Sequence, residues 1–426
     1  MATRDSTASF ALTRRKLLAS AAGVTVGSVA AGCGVSSAPA TSARADTVRL
    51  GPQPAGLPAR QHAWTATLAR DKYGNPTAPR FDRLLFFDLE GTPTPADARA
   101  LEAVLRALER NYPWGPNGLL FTAGWGPGYF ERGLKAASPI ERPQPLSSFE
   151  LPTLDDYDLC LHFACDDENR AAAVESALVR GEPLPGIKGS LELTQGLRWR
   201  ETRTGFVGAG LPAGHQNVGG IPPGNPVPAS SPLFMGFKSG LLKNQATEDY
   251  VTIADGPFAG GTTMQVSYMR LRLDSWYGML DESARVARMY APEVTPAEVN
   301  RFTTDAESDP RLLGQATARY GVIGHSQTSA RARRNGKPLI IRRDFNTVDG
   351  GEAGLHFVSV QRSIHDFVTT RNAMNASHAQ VENPSITPTI NNGINEFILV
   401  LRRANYILPS RAQRSYPLLE GRSFSD

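Results

Sequence analysis

The chain has 426 residues, enough for two domains and a sizeable core, with 45 Lys and Arg against 41 Asp and Glu. Four of those cations and one acid fall in residues 1–33, which leaves 41 against 40 in the remainder. A chain so nearly neutral beyond its N-terminus carries no electrostatic footprint for a nucleic-acid partner.

The N-terminus reads as an export signal. In "LTRRKLLASAAGVTVGSVAAGCG" the pair Arg14 and Arg15 precedes an apolar stretch from Leu17 to Ala31. That stretch is too short, and too rich in Ala, Gly and Ser, for a spanning helix. Paired arginines before a weakly apolar segment resemble a twin-arginine signal, which implies the twin-arginine export machinery as partner and a protein exported already folded. "AAGC", ending at Cys33, resembles a lipobox. Two processing outcomes stay open: a diacylated Cys33 as membrane anchor on a cell-envelope lipoprotein, or plain cleavage and secretion. Residues 1–33 are thus the signal, and 34–50 a flexible tether.

An α+β pattern follows. "RLLFFDLE" is a short apolar strand, and "TPADARALEAVLRALERNY" an amphipathic helix opened by a Thr-Pro start signal. "GLLFTAGWG" and "YDLCLHFAC" are strands, "DENRAAAVESALVRG" a helix capped by Asp166 or Asp167, and "SLELTQGLRWRE" a strand. The order β-α-β-β-α-β is that of a ferredoxin-like unit, here spanning residues 51–225. Cys160 and Cys165 share one strand, about 16 Å apart on opposite faces, too far for a disulfide. Without CxxC or HExxH spacing, zinc has no support.

The Gly- and Pro-rich stretch from Gly208 to Pro232 is a long connection. A second round of elements spans 226–426. It has strand "TTMQVSYMRLRL", helix "SWYGMLDESARVARMYA", strands "PLIIRRDF" and "GLHFVSVQR", helix "SIHDFVTTRNAM" and a last apolar segment, "NEFILVLRR". Two ferredoxin-like domains with antiparallel sheets are expected.

Within this half, "IGHSQTSARARRNGKPLIIRRDFN" holds one histidine, His325, followed by six cations and a single acid, Asp344. A nucleophile elbow at Ser326 is disfavoured. The last glycine of that motif is replaced by Thr328, and the apolar helix that should follow reads "SARARRNGKP". A solvated loop and a metal ligand remain.

Five segments taken together resemble the dye-decolourising (DyP-type) peroxidase family: "GLLFTAGWGPGYFERGL", "YDLCLHFACDDENRAAAVESAL", "GFKSG", "GGTTMQVSYMRLRLDSW" and "IIRRDFN…GGEAGLHFVSVQRSIHDF". The resemblance implies a dimeric α+β barrel fold and haem b as cofactor. It further implies hydrogen peroxide with an organic, dye-like reductant as substrates. On this resemblance His325 is the proximal ligand of the haem iron, Glu396 a candidate to fix its tautomer, and Arg331 a candidate for the propionates. The distal arginine falls in "LIIRRDF". Strand residues alternate between faces, so only one of Arg342 and Arg343 reaches the site, and the apolar run before the pair favours Arg342. "GFKSG" departs from the family's G-x-x-D-G. Ser239 stands at the aspartate that shuttles a proton, and an alcohol cannot do so near neutral pH. Two functions follow: a peroxidase slowed by that exchange, or a non-catalytic haem-binding protein of the same fold.

Overall fold

In the computed structural model, residues 46–299 and 316–424 are described. The export signal, Cys33 and most of the tether lie outside them. The first helix, α1 (Pro95–Asn111), starts where the sequence says it should. Thr94 and Asp97 form a reciprocal capping box, and Pro95 fills the first helical position. Helix α2 (Glu168–Arg180) is capped by Asp167 and ends on Gly181, whose φ of 68° is open to glycine at little cost.

Strands β1 (Phe81–Leu89), β2 (Leu120–Trp125), β3 (Leu159–Cys165) and β4 (Leu197–Phe206) come from the first half. The second half supplies β5 (Thr262–Leu271), β6 (Ile340–Arg342), β7 (Phe345–Thr347), β8 (Gly354–Gln361) and β9 (Ile398–Leu408). They form one antiparallel sheet in the order β7-β4-β1-β3-β2-β9-β5-β8-β6. Because β7 also pairs with β8, eight of these strands close into a ring. The halves meet at two narrow seams, each a single pair: Asn346 with Phe206, and Ile407 with Trp125. Residues 45–426 make one compact unit, its two halves joined through this common sheet.

The alternation of strand side chains divides the core. Leu84, Phe86, Cys160, Val266, Phe345, Val358 and Tyr406 pack inside the ring. Leu85, Phe87, Leu161, Phe163 and Cys165 face outward against α1 and α2. Cys160 and Cys165 are both free and buried, on opposite faces as their spacing requires. On the second half, Met269, Leu271, Ile398 and Val400 face outward beneath Phe234, Met235 and Trp276. Here the cover is looser, and a cavity opens between sheet and cover. Among the described residues no helix is long and apolar enough to cross a membrane.

Candidate functional site

The cavity's floor is the outer face of the second-half sheet, represented by Met269 and Leu271 of β5, Leu355 and Phe357 of β8 and Ile398 of β9. Its cover includes residues 233–244 and three helices: α3 (Glu282–Met289), α4 (His325–Ser329) and α5 (Ile364–Ala373). Apolar groups dominate the walls. The polar groups are few: Lys238, Ser239, His325, Arg342, Asp344, Arg371 and Arg403 carry most of the chemistry. A cavity of this composition is the form that small-molecule and cofactor sites take.

His325 opens α4, and close backbone packing fixes its position. A Cβ on Gly324 would lie 2.0 Å from the Tyr290 carbonyl oxygen, and one on Gly393 would lie 3.1 Å from the His325 Cα. Backbone bonds from Ile323 N to Asn391 O (3.0 Å) and from Gly393 N to Ile323 O (2.8 Å) tie the helix start to the chain before β9. The His325 ring faces the cavity and makes no hydrogen bond with any described residue. Burial, with Arg342 and Arg371 nearby, pushes its pKa down to about 3, so the imidazole is a neutral donor across the ordinary pH range. Among the described residues no cluster of three or more His, Cys, Asp or Glu could hold a metal ion.

Arg342 lines the same cavity. Its guanidinium makes no hydrogen bond or ion pair with a described residue, and its Nε is buried without a partner. Its backbone is held by Gln245, which accepts from Arg342 N at 2.8 Å and donates to Arg342 O at 3.1 Å. Burial pulls the Arg342 pKa below its usual value. Arg343 points elsewhere: its guanidinium sits 3.8 Å from the Trp64 ring centroid and donates to the His62 carbonyl.

Ser239 lines the cavity and donates from Oγ to Asp344 Oδ1 at 2.9 Å. Asp344 was missed by sequence reasoning, although the signal was present. Ile340, Arg342, Asp344 and Asn346 all line the cavity, so the two-residue alternation that selects Arg342 over Arg343 continues one step to Asp344.

Two expected anion and tautomer partners are not at the cavity. Arg331 follows the end of α4 on the surface, exposed, and does not line the cavity. Glu396 lies in a turn before β9 with its carboxylate 3.8 Å from Arg288, and makes no hydrogen bond to His325. Besides Arg342, the cations that line the cavity are Lys238, Arg371 and Arg403. Arg371 and Arg403 are both ion-paired with Glu150, at 2.6 and 3.1 Å, and all three are nearly fully buried. Lys238 is paired with Asp71 at 2.7 Å. Simple alternation along β9 would have put Arg402, not Arg403, on the face of Ile398. A bulge between Val400 and Arg402 reverses the faces. Ser326 has a structural bond, donating to Met289 O at 3.1 Å.

A second cavity of about 680 Å³ adjoins the first, with Trp64, Leu68, Pro76 and Glu248 in its lining. Lys238, Ser239, Arg342 and Asp344 line both, and so form the wall between them.

Comparison with solved structures places the fold. The chain is similar to a DyP-type peroxidase from Cellulomonas bogoriensis, with 20% identity, a TM-score of 0.53, and 81% of this chain and 93% of that one covered. It is likewise similar to DyPB from Rhodococcus jostii RHA1, with 13% identity, a TM-score of 0.54, and 84% and 98% covered. The dye-decolorizing protein from V. cholerae matches at 16% identity and a TM-score of 0.50, over 83% and 99%. The sheet-dominated, barrel-like core therefore matches these dye-decolorizing peroxidase structures in fold. In sequence, residues 79–410 match the model of a family of unknown function, DUF7405, and with that extent of match the chain belongs to DUF7405.

Proposed function

We propose that this protein is an exported haem peroxidase that uses hydrogen peroxide to oxidise an organic, dye-like reductant. The observation that carries the reading is the neutral His325 ring in an apolar cavity shared with the Arg342 guanidinium, both without a hydrogen-bond partner among the described residues.

The residues present fit haem b. His325 would ligate the iron, and Arg371 and Arg403 are the candidates for the propionates; Arg403 Nη2 is buried without a partner. The apolar walls suit the macrocycle. When bound, the haem would supply the redox centre for peroxide reduction. The chain's own part is electrostatic and steric. Arg342 would stabilise negative charge on a bound peroxide oxygen in a cavity lined by the apolar side chains of Met235, Phe237, Leu355 and Phe357. A guanidinium is so basic that it remains a cation in proteins. We read the two halves as ferredoxin-like units, since each contributes four strands in the order fourth, first, third, second, counting β6 and β7 together. Export by the twin-arginine route, with Cys33 lipidated or removed, belongs to the same proposal.

The test is haem binding and turnover by the purified mature protein. Wild type should show a histidine-ligated haem absorption band and peroxide-dependent dye oxidation. His325→Ala should lose the band. A band unchanged in that variant would overturn the assignment of the ligand.

A further inference from the structure

The expectation that Ser239 leaves this site without a carboxylate rests on one sequence position. The structure supplies a carboxylate from another. Asp344 is 8% exposed, lines the His325 cavity on the same face as Arg342, and accepts a hydrogen bond from Ser239 Oγ at 2.9 Å. It also stands on the wall shared with the larger cavity, where a small molecule entering from that side would meet Arg342. We propose that Asp344, held by the Ser239 hydroxyl, is the proton-handling carboxylate of this site. The proposal rests on the haem-peroxidase reading above and refines its residue roles.

The chemistry is a proton relocation. An ionised Asp344 takes one proton from the first oxygen of HO–OH and returns it to the second, and ends in the state in which it began. No oxidant or reductant enters this step. Arg342, on the same face, holds the negative charge that exists between the two transfers. Ser239 is then a positioning residue: its single O–H is committed to Asp344 Oδ1, which orients the carboxylate and favours its ionised form. The charged groups facing Asp344 are Arg342 and, from the turn before Ser239, Lys238, already paired with Asp71. Burial raises the Asp344 pKa, against the lowering effects of Arg342 and Ser239.

The test uses the haem-loaded protein and reads cyanide capture alongside peroxide reaction, both by stopped flow. Hydrogen cyanide must give up its proton to a nearby base as the anion binds, so capture reports the base without turnover. Asp344→Asn should keep the haem band and slow both reactions by on the order of 10²-fold. Ser239→Ala should slow them by roughly 2–10-fold, the value of one hydrogen bond. In Ser239→Ala the pH below which capture falls should also move upward, because the ionised carboxylate has lost a donor. Asp344→Asn should abolish that acid limb. Ser239→Asp should give no acceleration, since two adjacent carboxylates hold one proton between them. Unchanged cyanide and peroxide rates in Asp344→Asn with a normal haem band would overturn this proposal and leave the peroxidase reading standing. Should Asp344→Asn fail to accumulate, Ser239→Ala decides: an unmoved rate and an unmoved acid limb would overturn it. Loss of the band in wild type would instead sink the parent reading.

Discussion

Glu150 is the counter-ion of two guanidiniums that line the cavity, and its removal has a calculable cost. Burial alone would raise its carboxyl, but Arg371 and Arg403 hold it below its usual value. Glu150→Gln keeps the shape and leaves an oxygen for the Leu146 N–H, now 3.1 Å from Oε2. It removes the carboxylate that, among the described residues, alone opposes two arginines that are 3% and 1% exposed. Breaking a buried pair from one side costs about 3–5 kcal/mol, since the remaining charge is left uncompensated. The unfolding entropy of a unit of roughly 380 residues is about 0.8 kcal/mol/K, so Tm should fall by about 4–6 °C near pH 7. The sign with pH is fixed as well. A carboxylate with a lowered folded pKa contributes stability above its unfolded pKa, and that contribution is lost as pH falls through the folded value. The gap between wild type and Glu150→Gln should therefore be full at pH 6–7 and close progressively below about pH 4.5. Calorimetry of the haem-free protein across that range measures both. A Tm change under about 1 °C near neutrality, or a gap that does not narrow in acid, would refute the account of this cluster.

Two further predictions concern placement and export. Gly324→Ala should destabilise by about 1–3 kcal/mol and weaken haem binding, because its methyl would overlap the Tyr290 carbonyl and push α4 outward. Gly214→Ala, with open space around the new methyl, is the control and should change neither denaturant midpoint nor haem affinity. Changing Arg14 and Arg15 together to Lys preserves charge but should stop translocation, as read by cell fractionation. Cys33→Ala should separately release the mature protein from the membrane if that cysteine is lipidated.

Much of the fold was legible because it depends on local patterns. The Thr94 cap, Asp167, Gly181 and the apolar runs of β1, β2 and β3 each mark an element without reference to the rest of the chain. The ring was not legible in the patterns themselves, since nothing in the sequence around Asn346 or Ile407 announces which strand lies across the seam. The site divides the same way. His325 and Arg342 stand in quotable stretches, and both reach the cavity. Arg403 reaches it only through a backbone bulge, and Arg371 only because α5 packs where it does. Asp344 lies two residues past Arg342, where alternation alone would place it on the same face, even though β6 and β7 are interrupted at Arg343 and Asp344. Arg331 follows His325 closely in the chain and Glu396 lies three residues past Gly393, which packs on His325, yet neither lines the cavity.

The ring has a consequence for how the chain can be divided. Each half contributes four positions around it, and each half alone would end in bare strand edges, β2 and β4 for the first, β9 and β7 for the second. Unpaired edges of that kind recruit other chains. Residues 46–225 and 226–424 should therefore behave poorly as separate fragments, yet find each other when produced together, each serving as the other's edge protection. The cavity on the second half would then depend on a segment that contributes none of its lining residues, because β5 and β9 would hold their curvature only while the circle is complete.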